Sequence, residues 1–118
     1  MELVAILSKG EGTWGQVAGL AKKGEWERII ILGPSYAKDF QLDQPFDFVE
    51  YDENKSLIAL KQYFLEKLKD KLGDSFSDVA LSIASGLGKE HMAIISALQS
   101  IPRGIRFTAL TKEGVIFL

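Results

Sequence analysis

The sequence has no cysteine, which excludes disulfides and thiolate metal sites. Its single histidine, His91, argues against a protein-only zinc centre. Neither a metal nor a resident cofactor is expected. No apolar run approaches the roughly 20 residues that span a bilayer. The opening Met1-Glu2-Leu3-Val4-Ala5-Ile6-Leu7 is acidic and then briefly apolar. A secretory leader needs a basic start, a longer apolar core and a cleavage site. The expected location is cytoplasmic, with no membrane partner. A net charge of −2 supplies no global basic field, so duplex nucleic acid is not an expected partner and any anion site must be local.

What is present is ordinary for a globular chain: 47% hydrophobic and 25% charged residues among 118. That length suits one domain, 1–118. Leu3 to Leu7 is a continuous apolar run that stops at Ser8-Lys9-Gly10, as in a strand buried on both faces. Thr13 and Gln16 have capping-box spacing before a helix carrying Val17, Leu20 and Ala21. Gly24 stands at its C-terminal cap. Arg28 to Leu32 is a second strand, halted by Gly33-Pro34. Ser35 to Phe40 reads as a short irregular or helical piece, and Phe46, Phe48 and Tyr51 mark a third strand near the sheet edge. Asn54 is placed to cap a long helix whose stripe is Leu57, Leu60, Phe64, Leu68 and Leu72, ended by Gly73. Val79 to Ala84 is a fourth strand. Lys89 to Ser100 is a helix apolar around much of its circumference, which implies burial against the sheet and against a second subunit. Arg106 to Leu110 and Val115 to Leu118 form a hairpin around Lys112-Glu113-Gly114.

Strands alternating with helices predict an α/β fold: a single Rossmann-like domain with a mostly parallel sheet and a C-terminal antiparallel hairpin. Ligands of such sheets bind beyond the carboxyl ends of the strands, where the strand order reverses. With the order 3-2-1-4 the reversal falls between strands 1 and 4. The loops there are Ser8-Lys9-Gly10-Glu11-Gly12-Thr13 and Ser85-Gly86-Leu87-Gly88-Lys89-Glu90-His91. Each holds glycines, a serine and a lysine, and each opens onto a helix N-terminus, where unsatisfied N–H groups and partial positive charge favour an anion. Lys89 stands in a first helical turn, which is locally unfavourable unless an anion is bound. Serine hydroxyls add hydrogen bonds to phosphate oxygens. Lys9, Gly10, Gly12, Thr13, Ser85, Gly86 and Gly88 are the candidate ligand-binding residues.

A structural reading stands beside this one. Glu11 and Glu90 sit next to the lysines and are placed to neutralise them, and the glycines and serines serve turns and caps in any α/β protein. Gly10-Glu11-Gly12-Thr13-Trp14-Gly15 fits the dinucleotide fingerprint G-x-G-x-x-G. However, Leu32-Gly33-Pro34-Ser35 lacks the acid that should follow strand 2. His91 is a candidate general acid or base, or a packing residue. Trp14 and Tyr36 are candidates for stacking on a base, or for packing. Arg103 and Arg106 are candidates for reaching a phosphate, against solvated positions.

Ser82-Ile83-Ala84-Ser85-Gly86-Leu87-Gly88-Lys89-Glu90-His91-Met92-Ala93 resembles the strand-loop-helix signature of CRISPR-associated Rossmann-fold (CARF) domains. In that signature a strand enters a Gly-Gly-Thr-Lys-like loop, with a methionine and small residues on the following helix. Leu87 and Gly88 depart from it, standing where the pattern has glycine and threonine. The order of elements is similar over nearly the whole chain. The resemblance implies a homodimer that binds a cyclic oligoadenylate across its two-fold axis. Ser8, Lys9 and Thr13 would lie in one binding loop, and Ser85, Gly86, Gly88 and Lys89 in the other. A domain without an effector suits a ring nuclease, in which a ribose 2′-OH attacks, Lys89 stabilises phosphoryl charge and Ser8 positions it. Ser8, Lys89 and His91 are then the catalytic candidates. Two other functions fit the same sequence: a small nucleotide- or dinucleotide-binding module, and a non-catalytic assembly subunit.

Overall fold

Short apolar runs separated by amphipathic segments fold here into one layered sheet. A computed structural model describes residues 1–9, 11–73 and 76–118. Its strands are β1 (Leu3–Ile6), β2 (Ile29–Gly33), β3 (Asp47–Glu50), β4 (Val79–Ser82), β5 (Ile105–Thr111) and β6 (Gly114–Phe117). Its helices are α1 (Trp14–Lys23), α2 (Leu57–Leu72) and α3 (Gly88–Ser100), with 3₁₀ turns at Glu11–Thr13 and Ser35–Ala37. The sheet order is β3-β2-β1-β4-β5-β6. All neighbours are parallel except the β5–β6 hairpin. The fold is thus α/β and Rossmann-like, and the order reverses between β1 and β4, as the sequence predicts.

Alternate side chains of a strand point to opposite faces. Val4, Ile6, Ile30, Leu32, Val79 and Leu81 meet α2 and α3 on one face. Leu3, Ala5, Leu7, Ile29, Ile31 and Ala80 meet α1 on the other. With both faces covered, the central strands are apolar at nearly every position, with the buried Ser82 at the end of β4 the polar exception. The broken alternation around β3 has the same origin. Phe46 and Phe48 pack toward α1, whereas Val49 and Tyr51 join the core beneath α2.

Several boundaries differ from the sequence reading. Ser56, not Asn54, caps α2: its Oγ accepts from the Ala59 N–H at 3.2 Å. Asn54 lies in the preceding turn, where its N–H donates to Asp52 Oδ1 at 2.9 Å. Leu57, in the first turn, is exposed, so the buried stripe is Leu60, Phe64, Leu68 and Leu72. Thr13, the last residue of the 3₁₀ turn, has helical backbone angles and makes no side-chain capping bond, and Gln16 instead donates to the Leu110 carbonyl at 2.9 Å. The fourth strand closes at Ser82, where its pairing with Ala5 ends.

Arg103 is neither solvated nor near the carboxyl ends of the strands. It is buried beside the start of β1, donating to Glu2 Oε1 at 2.8 Å and to the Ser77 carbonyl at 2.8 Å. Arg106 lies on β5, over the Phe117 ring and 4.0 Å from Asp78 Oδ2.

Candidate functional site

Because β1 and β4 are adjacent and parallel, the chain leaves both at the same edge of the sheet, and the two loops bond to each other directly. The Ser8 N–H donates to Ser85 Oγ at 3.1 Å, and Ser8 Oγ donates to Glu90 Oε1 at 3.1 Å. Trp14 Nε1 donates to the Ser8 carbonyl at 2.9 Å. Ser8, Ser85 and Glu90 are all buried. Both serine side chains therefore face the protein, and they shape the loops rather than line the cleft.

Glu90 fastens the start of α3 as well. Its carboxylate accepts from the Leu87 N–H at 3.4 Å, the reach-back half of a capping box. Leucine has no acceptor to supply the other half. Tyr51 approaches from β3, and its buried hydroxyl donates to the Leu7 carbonyl at 3.1 Å. Burial, with the Glu90 charge adding to it, pushes the Tyr51 phenol well above its ordinary range. Burial and the Glu53 and Glu90 charges raise Tyr36 also, against a hydrogen bond with Ser8 that lowers it.

His91 bonds through Nε2 to the Ser85 carbonyl at 2.8 Å. A carbonyl only accepts, so that nitrogen carries the proton. Gly86 makes this approach possible. Its φ is +107°, and a Cβ there would lie 2.9 Å from His91 Nε2 and 3.1 Å from Ile6 Cγ2. His91 thus braces the turn through Nε2.

Lys9 and Lys89 line one cleft of about 210 Å³ with Glu53, Asn54, Leu87 and Glu90. Among the described side chains neither lysine forms an ion pair. Lys9 is exposed. Lys89 Nζ donates to the backbone carbonyls of Glu53 at 2.6 Å and Lys55 at 2.8 Å. Its charge is therefore held in the cleft by neutral dipoles, not cancelled by Glu90. Gly12 is exposed in the 3₁₀ turn before α1, Gly88 opens α3 and is exposed, and a Cβ at either would meet nothing within 4 Å. Thr13 stands at the N-cap position of α1 without a side-chain capping bond. Gly10 and the side chain of Glu11 lie outside the described residues.

A larger cleft of about 380 Å³ adjoins the first and shares Glu53 and Asn54 with it. Pro34, Ser35 and Tyr36 form one wall, and Asp52 through Lys55 form the other. Sequence reasoning did not single out this second wall. The polar run Tyr51-Asp52-Glu53-Asn54-Lys55 just after a strand was the available signal. Among the described residues no group of three or more His, Asp or Glu side chains is placed to hold a metal ion. No helix among them is long and apolar enough to cross a membrane. Compared with known proteins, the chain matches no family model and no curated protein sequence.

Proposed function

We propose that the chain binds a cyclic oligoadenylate, or a related phosphate-bearing nucleotide, in the cleft between the loops after β1 and β4. One observation carries this reading: Lys9 and Lys89, from loops far apart in sequence, line a single cleft where the strand order reverses. Leu87, Lys89 and Glu90, at the N-terminus of α3, are part of the same lining, where the helix end carries partial positive charge. A phosphate oxygen would take the third N–H of the Lys89 ammonium, whose other two stay on the carbonyls, and would meet Lys9 directly. The CARF resemblance implies a second copy that completes the site of a cyclic ligand. Leu87, in the lining of the cleft, and Met92, farther along α3, are 55% and 59% exposed and give such a copy apolar surface to cover.

The burial of Ser8 and the bonded state of His91 favour a receptor over a nuclease, because neither group reaches into the cleft. Turnover is the second reading. In it the ribose 2′-oxygen bonds to phosphorus as the 5′-oxygen leaves with the proton, giving linear products that end in a 2′,3′-cyclic phosphate.

The test is thermal melting and calorimetry with cyclic tetra- and hexa-adenylate, ATP, NAD and sulfate, with chromatography of the same mixtures. A cyclic oligoadenylate should raise Tm in proportion to the logarithm of its concentration. Lys9→Ala should keep the fold and weaken binding about tenfold or more, the value of a charge-assisted hydrogen bond. Light scattering should show dimers. A shift with NAD or ATP alone would point to a mononucleotide or dinucleotide module. No shift with any of these ligands would leave an assembly subunit.

A further inference from the structure

The larger cleft, at the ends of β2 and β3, is lined mainly by acids and aromatic rings, whereas the cleft beside it sets two lysines against Glu53 and Glu90. Asp52 and Glu53 offer carboxylates, which accept hydrogen bonds. Tyr36 offers a flat ring at 44% exposure, whereas the Tyr63 ring is already covered by Lys55 Nζ at 4.7 Å. The volume of about 380 Å³ is within the range of small-molecule sites.

Position adds to the argument. The β2–β3 register pairs Gly33 with Glu50, so the chain leaving β3 runs beside the chain leaving β2. Asp52 and Glu53 therefore stand next to the place where a dinucleotide-binding sheet puts its ribose-binding acid. That acid is missing from Leu32-Gly33-Pro34-Ser35, and the neighbouring strand supplies one. Lys89 fixes the distance between the two clefts, because its bonds to the Glu53 and Lys55 carbonyls fasten the acidic wall to the phosphate cleft.

We propose that this cleft is a nucleoside subsite, in which Asp52 and Glu53 accept hydrogen bonds from ribose hydroxyls and the base lies on Tyr36, while the phosphate of the same ligand sits between Lys9 and Lys89. The subsite rests on the nucleotide-binding reading above. Some acceptor capacity is already used: Asp52 Oδ1 by the Asn54 N–H and Glu53 Oε2 by the Tyr36 hydroxyl at 3.3 Å. Each carboxylate has a second oxygen for a ribose hydroxyl.

The test compares adenosine 5′-monophosphate with its 2′,3′-dideoxy analogue by amide NMR, in the unmodified chain and in an Asp52→Asn/Glu53→Gln double variant whose spectrum reports its fold. The monophosphate should shift the Tyr36, Glu53 and Asn54 resonances. The dideoxy analogue and the double variant should each weaken binding about tenfold. Equal binding of the two nucleotides, shifts confined to other residues, no shift at all, or a folded double variant with full affinity would overturn the subsite. Calorimetry with cyclic tetra-adenylate separates the two readings. A chain that binds the ring but ignores the ribose hydroxyls keeps the phosphate site and loses this one. A chain that discriminates the hydroxyls but ignores the ring does the reverse.

Discussion

Replacing Glu90 asks whether its carboxylate shapes the two loops or merely balances the lysines. Glu90 is 1% exposed, and Oε1 accepts from Ser8 Oγ at 3.1 Å and from the Leu87 N–H at 3.4 Å. A hydrogen bond to a charged group contributes about 1.5–3 kcal/mol net, and the first bond is of that kind. The second is longer and is valued as a helix cap, at about 1 kcal/mol. Glu90→Ala should therefore cost about 2–4 kcal/mol, a large part of the roughly 5–15 kcal/mol that holds a domain folded. Glu90→Gln keeps an oxygen in place for both donors and removes a charge from a buried position, so it should stay within about 1 kcal/mol of the parent. Urea unfolding at neutral pH, with linear extrapolation, measures both. Equal losses in the two variants would refute this reasoning, because only a role for the charge itself makes glutamine as damaging as alanine.

The Arg103–Glu2 pair should behave as a buried ion pair. Arg103→Ala strands a carboxylate and should cost about 3–5 kcal/mol, whereas Arg103→Met with Glu2→Leu should fall close to the parent. Thermal unfolding of the full cycle checks this, and additive losses would count against it. Tyr51 makes the fold sensitive to alkali. Its folded pKa lies above the unfolded value of about 10, so the folded state holds the proton more tightly. The resulting stability is complete below about pH 10 and falls as pH rises beyond it. Tyr51→Phe should flatten that fall in urea midpoints taken from pH 8 to 11, and an unchanged slope would assign it to other groups.

The sheet was legible in the sequence because its central strands are covered on both faces. Runs such as Ile29-Ile30-Ile31-Leu32 have no other stable place in a chain of this size. Legibility failed where the deciding partner is distant. Nothing near Arg103 announces Glu2, 101 residues away, and nothing near Lys89 announces the carbonyls of Glu53 and Lys55. Local rules also left ties: Asn54 and Ser56 are both good caps, and the packed position of Leu60 chose Ser56. In the site, the meeting of the two loops followed from topology alone. The acidic wall carries no local signal of ribose binding, because a ribose-binding acid is expected after β2, whereas Asp52 and Glu53 follow β3.

The first strand of the chain is also a central strand of the sheet, and this orders events during synthesis. Leu3 can pair with Ile29 early, but its other neighbour is Ala80. At about 5–20 residues per second the ribosome takes roughly 3–10 s to pass from Ile29 to that partner. Until then a growing chain that has paired β1 with β2 leaves the far edge of β1 with unpaired N–H and C=O groups beside uncovered apolar side chains. The nascent chain is most prone to wrong pairing before residue 80 emerges.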